Sequence, residues 1–456
     1  MITRLEATRY RCFEHLGVDV GDFRVLVGAN GSGKTTLLDL PVLLGDLLRA
    51  HNIASPFMDR RAELPPRAGS LNELVFAGRG SDFSLAVEAR LPDVVQAKVL
   101  EGMFARLRTE KSRLAFQEDQ RRWPTHIRYE LGLRISNEQE LHVVSEYLFV
   151  YPEAYSPDRR QGGFHGVLAE DNKHWRLILK REFGYEAEFT SEVPFSGGKT
   201  RIAKVGLPAT MLAMPRVLFE AEAEYPAARW LYSLLTTEVV FLEPNWSAMR
   251  EASPPGQPKV ITANGRNIPW LALDLKREGA PEDDEAEGKQ SDYRSDHYSD
   301  WIAHVQTALP QVADIDVRER EDDHYAYFVV SYRGDFKVPS SGLSDGTLRI
   351  LTLTLLPYLS KQPAILVTEE PENGIHPRAI ETVLQSLSSM SESQVWVSSH
   401  SPVVLGSVEL DQLLCSRLTS TGAVELIKGR DHPRLLEWRK DVDLDLGILF
   451  AAEVLS

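Results

Sequence analysis

Lys34 and Thr35 close the stretch Gly28-Ala29-Asn30-Gly31-Ser32-Gly33-Lys34-Thr35-Thr36, which fits the spacing G-x-x-x-x-G-K-[ST]. Glycines in such a loop let the backbone wrap close to phosphate oxygens, and the N–H groups of a helix start meet the anion with the positive end of the helix dipole. The lysine reaches the β- and γ-phosphates as a point charge, and the threonine offers its hydroxyl to Mg²⁺. Far downstream, Glu369 and Glu370 end an apolar run, an arrangement in which one acid directs Mg²⁺ while its neighbour polarises an attacking water. Ser344-Asp345-Gly346 lies in a serine-glycine turn that opens a helix, a further anion-seeking feature. His400 ends the run Val395-Trp396-Val397-Ser398-Ser399 and is a neutral donor suited to a γ-phosphate. Ser344 precedes Glu369 by 25 positions and His400 follows Glu370 by 30, so these residues form an ordered set.

The elements that must position them are legible nearby. Phe23-Arg24-Val25-Leu26-Val27 reads as a buried strand entering the glycine loop. Leu37, Leu40, Leu44, Leu47 and Leu48 fall on one face of a helix leaving it, with a kink expected at Pro41. Ile365-Leu366-Val367-Thr368 is the strand that delivers the two acids, and the dense apolar texture from Pro339 onward predicts the second half of a parallel sheet.

Composition sets the outer bounds. A chain of 456 residues can bury a large core, and 43% hydrophobic with 26% charged residues is ordinary for globular proteins. No apolar run is long enough to span a membrane, and Cys12 with Cys415 cannot build a disulfide framework, so a cytoplasmic setting is expected. The net charge of −15 argues against coating nucleic acid with the whole surface but leaves room for a local basic groove. Ile2 to Val20 reads as a strand or hairpin, and Phe83–Leu91 and Ile127–Ile135 as strands of an antiparallel sheet. Between these, Val94 to Arg122 is read as one helix, whose second half carries Arg106, Arg108, Lys111, Arg113, Arg121 and Arg122. Gly279 to Asp300, with Glu282-Asp283-Asp284-Glu285, reads as a polar linker.

Tyr10-Arg11-Cys12-Phe13, the phosphate loop, Leu343-Ser344-Asp345-Gly346-Thr347-Leu348-Arg349, Glu369-Glu370-Pro371-Glu372-Asn373-Gly374-Ile375-His376-Pro377 and Ser399-His400-Ser401-Pro402 together resemble the ABC-type ATPases of the structural-maintenance-of-chromosomes (SMC), RecF and OLD-like branch. More narrowly, the chain resembles compact AAA-family ATPases of bacterial anti-phage defence operons, which lack a nuclease domain. The resemblance reaches thinly over Asn264-Gly265-Arg266-Asn267 and Asp445-Leu446-Gly447. It implies an α/β P-loop NTPase head of ABC type, with an antiparallel β subdomain and a mixed helical insertion between phosphate loop and signature. The expected segments are an N-terminal lobe at 1–93, an inserted helix at 94–124, a β subdomain with mixed insertion at 125–338, and a C-terminal lobe at 339–456.

On this resemblance Arg11, Asn30, Gly31, Ser32, Gly33, Lys34, Thr35 and Thr36 bind ATP, while Thr35 and Glu369 hold Mg²⁺. Glu370 is the catalytic base, His400 the switch histidine, and Glu372-Asn373 lies in a loop that signals across the dimer. Ser344 and Gly346 contact the γ-phosphate of ATP held by the other protomer, so a working site takes two chains head to tail, in a homodimer or a higher oligomer. Three departures stand out: Glu369 replaces the usual Asp, Asp345 and Thr347 differ from the transporter signature, and no glutamine loop is evident.

The implied function is an ATPase switch that converts ATP and water to ADP and phosphate and relays its state to DNA or to a nuclease-like effector in anti-phage defence. A RecF-like repair or chromosome-handling ATPase is the alternative. A transporter's nucleotide-binding subunit is disfavoured by the 309 residues from Thr35 to Ser344. Two decoys are set aside. Phe195-Ser196-Gly197-Gly198-Lys199-Thr200 has Val193 where the first loop glycine belongs, and Asn172-Lys173-His174-Trp175 lacks the Asp of a guanine-reading motif.

Overall fold

Alternating polar and apolar residues over Ile2–Tyr10 and Val312–Glu319 become strands of antiparallel sheets, and the continuous apolar runs Phe23–Gly28 and Ile365–Glu369 become buried strands. The computed structural model describes residues 1–60, 65–107, 109–137, 139–158, 165–169, 171–194, 200–220, 222–280 and 294–433. The decoy at 195–199, the acidic run 282–285, Arg108 and the tail motif 445–447 lie outside these described residues. Two units emerge, one from residues 1–21, 31–239 and 416–426, the other from 22–30, 240–415 and the described residues from Ile427.

The strands in chain order are β1 (Ile2–Tyr10), β2 (Phe13–Asp19), β3 (Phe23–Gly28), β4 (Asp82–Arg90), β5 (His126–Ser136), β6 (Glu140–Tyr151), β7 (Arg176–Glu182), β8 (Ala187–Thr190), β9 (Ile202–Val205), β10 (Val239–Leu242), β11 (Val312–Glu319), β12 (Ala326–Tyr332), β13 (Phe336–Pro339), β14 (Ile365–Glu369), β15 (Gln394–Ser398), β16 (Leu413–Leu418) and β17 (Val424–Lys428).

In the first unit an eight-stranded sheet runs β2-β1-β4-β5-β6-β7-β8-β9. β1 and β2 form a hairpin closed by the pair Tyr10↔Phe13, with Arg11 at φ 51 in its tight turn. Tyr10, Phe57 and Phe83 stack into an aromatic cluster with centroids 5.4 to 6.5 Å apart. At the sheet's centre Arg128 is buried against Glu6, Glu88 and Glu130 at 2.5 to 2.6 Å, so each desolvated carboxylate finds the guanidinium fork. Burial alone would raise the Glu6 carboxyl, yet Arg128 and Arg4 hold it down at about 2.

The stretch from Val94 to Arg122 is two helices and not one. A helix over Asp93–Arg106 stops, Leu107 turns extended, and Thr109 caps a second helix over Glu110–Glu118 by accepting from Ser112 N–H. Threonine favours this cap over the helix interior because its hydroxyl satisfies an otherwise unbonded first-turn N–H. Helix Lys34–Arg49 continues through Pro41, which is built into its interior.

Glu192 is buried at the start of helix Pro226–Thr237 and accepts from Ala227 N–H at 2.7 Å and Ala228 N–H at 2.9 Å. Burial pushes its carboxyl from 4.5 up to about 7, against the pull of those amides and of Arg176 and Arg106. The protonated form therefore favours the folded chain, fully below the ordinary value and less as pH climbs toward 7. Raising pH across that window is expected to lower the melting temperature of the native chain, with a total loss of at most about 3 kcal/mol, and Glu192→Gln to flatten that dependence. Parallel thermal melts over that pH range with equal slopes for both chains would remove the assignment.

In the second unit β14, β15 and β3 are neighbours in the order β14-β15-β3 and run parallel. These strands are buried on both faces, which explains their unbroken apolar sequences. Helix Pro377–Ser388 begins with Pro at its first position and buries Ala379, Ile380, Val383, Leu384 and Leu387, one 3.6-period face. Helix Asp296–Ala308, capped by Ser295, starts inside the stretch read as linker; its Trp301 is fully buried and donates to Thr354 Oγ1 at 3.1 Å. The anticipated mixed α/β architecture with an antiparallel sheet is the fold of this protein.

Candidate functional site

Register brings the second unit's strand ends level. Glu369 of β14 pairs with Ser398 of β15, which pairs with Leu26 of β3, so Gly28–Asn30, Glu369-Glu370 and Ser399-His400 all leave the carboxyl edge of one parallel sheet. In parallel α/β sheets this edge is where ligands bind. β15 lies between β14 and β3, an order invisible in the sequence.

Glu370 sits at φ 43, a left-handed conformation that costs a non-glycine residue energy and is held by its surroundings. Its N–H donates to Ser398 O at 2.9 Å, and its carbonyl accepts from Asn373 N–H at 2.9 Å. The Glu370 carboxylate lies 3.7 Å from His400 Nε2, so the two residues proposed to flank the reacting phosphate are neighbours. Glu369, the last residue of β14, is half-buried.

Glu372, expected in a loop that signals across the dimer, is tied down within its own chain. Glu372 is 9% exposed, and Ser399 Oγ donates to its Oε1 at 2.5 Å, while its Oε2 is buried with no hydrogen-bond partner. Burial raises its carboxyl despite Ser399, and the nearby Glu370 charge adds to the rise. Ser399 Oγ also accepts from Ser401 N–H at 3.0 Å, so one hydroxyl ties the loop after β14 to the loop carrying His400.

Ser344 caps helix Asp345–Leu355 through an acceptance from Thr347 N–H, and Ser344 and Asp345 are exposed. Gly346 must be glycine for packing: a Cβ there would lie 2.6 Å from Gly374 O, which brings the signature turn against the Glu372-Asn373-Gly374 loop. Arg349 stacks over Trp246 with its guanidinium 4.5 Å from the ring centroid. Asn264 and Asn267 are structural: Asn267 is fully buried and its side chain bonds Pro258 O, Val260 O and the Thr262 N–H and hydroxyl.

In the first unit Gly31 and Gly33 take φ 77 and 79, values open to glycine at little cost. A Cβ on Gly33 would meet Cys12 Sγ at 2.8 Å and the Phe13 ring at 3.3 Å. The hairpin turn at Arg11-Cys12 thus packs beneath the loop, and the Cys12 thiol, raised by burial, hydrogen-bonds Thr36. Ser32 is buried; Ser416 Oγ donates to Ser32 O at 2.6 Å and accepts from the Ser32 hydroxyl at 2.5 Å. Lys34 is 8% exposed and begins its helix, whose N-terminus has no side-chain cap; Thr35 is exposed and Thr36 half-buried. Arg11 donates to Arg67 O, and Arg67 in turn grips Asp39 at 2.6 and 2.8 Å and Asp46 at 2.8 Å on the helix behind the loop. Ser416 and Arg67 had no signal in the sequence, being an ordinary strand serine and one arginine of a loop.

The basic stretch 106–122 does not form one cationic face. Arg106 bonds Ser191 O, Arg113 bonds Leu107 O, Arg121 pairs with Asp119 at 3.2 Å, and Arg122 lies over the Phe116 ring. Among the described residues no helix is long and apolar enough to cross a membrane, and no three His, Cys, Asp or Glu converge as a metal cluster.

Residues 256–406 match a family of AAA domains described by the AbiEii toxin of type IV toxin–antitoxin systems, a stretch that holds Ser344, Glu369, Glu370 and His400. The OLD nuclease of Thermus scotoductus is 32% identical over 106 positions, covering 19% of this chain and 20% of that protein, so the match spans about a fifth of the curated relative's length. Among solved structures, an SMC head bound to the C-winged helix domain of ScpA is 12% identical with a TM-score of 0.49, over 93% of this chain and 97% of that one. An SMC head with an extended coiled coil, bound to the C-terminal domain of ScpA and derived from Pyrococcus furiosus, is 12% identical with a TM-score of 0.47, over 96% and 99%.

Proposed function

Proceeding from an ABC-like ATPase of the SMC, RecF and OLD branch, we propose that the chain is a nucleotide-driven switch that binds ATP, closes head to tail on a second copy, hydrolyses the ATP and passes its state to a partner effector in anti-phage defence. The observation that carries this reading is the level carboxyl edge of β3, β15 and β14, with Glu370 and His400 3.7 Å apart upon it. Lys34 with the loop amides of Asn30 to Thr36 binds the phosphates, and Arg11 is a further cation for the nucleotide. Glu370 orients the water and takes its proton; His400 donates toward the γ-phosphate.

The Thr35 hydroxyl and Glu369 carboxylate are hard oxygen donors of the kind Mg²⁺ accepts alongside phosphate oxygens and waters. The ion would supply neutralising charge on those phosphate oxygens.

Head-to-tail closure is supported by the exposed turn at Ser344-Asp345, whose capped helix presents it to solvent. The defence setting and a nuclease-like effector are supported by the match to an AAA family whose description names the AbiEii toxin of type IV toxin–antitoxin systems and by the OLD nuclease match. The test is complementation. Ser344→Arg is expected to spare nucleotide binding and suppress hydrolysis at least about tenfold, on the scale of one lost charge-stabilising contact. Mixed with Lys34→Ala chains it is expected to regain activity, because heterodimers hold one composite site with both halves intact. Absence of recovery at every mixing ratio would remove the trans-site reading.

A further inference from the structure

We propose that Arg250 is the positioning residue of the signature turn, acting on the partner's nucleotide through Ser344; the proposal rests on the trans-site reading above. Arg250 comes from 93 positions upstream, yet its Nε donates to Leu343 O at 3.0 Å and its Nη2 pairs with Asp345 Oδ1 at 2.6 Å. These are the residues on either side of Ser344. The guanidinium is a planar fork with fixed donor directions, so two bonds to it set the separation and orientation of the groups it holds. One arginine thereby fixes the backbone before Ser344 and the side chain after it.

The segment that presents Arg250 is itself held. Asn245 Oδ1 caps the turn Trp246–Met249 by accepting from Ala248 N–H at 3.1 Å, and Met249 is buried. Trp246 of the same turn carries the Arg349 guanidinium on its ring, one helical turn beyond the signature. Two contacts from one short segment therefore fall on the first turns of the signature helix.

Arg250 also answers a question of charge. Asp345 places a carboxylate beside the hydroxyl that is to meet a γ-phosphate, where a like charge opposes binding. Its ion pair with Arg250 cancels that charge locally. Ser344 then meets the phosphate from a turn of fixed geometry and no net negative charge.

The experiment uses the full chain. Arg250→Ala is expected to leave ATP affinity, measured by calorimetry, within about twofold, because a chain's own phosphate loop does not use Arg250, and to lower kcat by roughly ten- to a hundredfold, the scale of losing one charge-assisted hydrogen bond. Arg250→Lys keeps the charge without the fork and is expected to fall between. Adding Asp345→Asn to Arg250→Ala is expected to regain several-fold of the lost rate, since the uncompensated carboxylate is gone; a purely structural role predicts no such recovery. Arg250→Ala mixed with Lys34→Ala is expected to regain activity as the Ser344→Arg mixture does. Native kcat in Arg250→Ala, or a mixture that stays inactive while the Ser344→Arg mixture recovers, would overturn the proposal. If Arg250→Ala does not fold, Arg250→Lys is carried through the same mixtures. If neither mixture recovers, the trans-site reading fails first and this proposal with it.

Discussion

Replacing Lys34 by alanine is expected to abolish ATP binding. The triphosphate carries several negative charges, and the lysine ammonium is the cation the glycine loop holds against its β- and γ-oxygens. Losing a charge-assisted contact to a polyphosphate costs about 1.5–3 kcal/mol for each bond removed, and one ammonium can make up to three. A fall of at least about a hundredfold in affinity follows. Because Lys34 is nearly buried at the start of its helix, truncation also removes packing of its methylene stem. Lys34→Met separates the two effects, since it keeps most of the stem and loses the charge. Calorimetry with ATP and Mg²⁺ on both variants decides: if Lys34→Met binds as the native chain does, the loop is not a phosphate site and the central reading is lost.

The second large effect divides labour between adjacent acids. Glu370→Gln keeps size and hydrogen bonding but removes the base, and hydrolysis is expected to fall by roughly a hundredfold or more. ATP binding is expected to survive and to tighten, because a negative charge near the γ-phosphate has gone. Closure depends on ATP and not on its cleavage, so this variant is expected to accumulate as an ATP-bound dimer visible by light scattering. Glu369→Gln is expected to weaken Mg²⁺-dependent binding and to leave less dimer. The geometry favours this assignment: Glu370 stands in a left-handed conformation with its carboxylate beside His400, while Glu369 still belongs to β14. If Glu369→Gln traps the dimer and Glu370→Gln does not, the roles are reversed, and the extra methylene of glutamate at 369 is the physical reason to examine first.

His400 and Glu372 show how the strained loop is held. Ser399 bonds Glu372 while His400, the next residue, faces Glu370, so two consecutive residues after β15 engage two carboxylates after β14. A φ of 43 at Glu370 is sustained because its own N–H and C=O are both bonded, to Ser398 and Asn373.

The sequence by itself determined the phosphate loop, the strand that ends in Glu369-Glu370, the Ser344 helix start and the strand before His400. Each is a run of consecutive residues whose conformation follows from local causes: glycines at positive φ, unbroken apolar strands, a hydroxyl cap, proline at a first helical turn. Tertiary structure alone decided that β15 lies between β14 and β3, that Ser416 bonds Ser32 across 384 positions, that Arg67 braces the helix behind the loop, and that Arg250 spans Ser344. It also decided that the segment after Val94 breaks at Leu107, where Thr109 begins a new helix. Long-range partners leave no periodicity and no spacing in a sequence. A lone arginine or serine becomes specific only when folding has brought a carbonyl or carboxylate to it, and the free energy of that contact is realised nowhere along the unfolded chain.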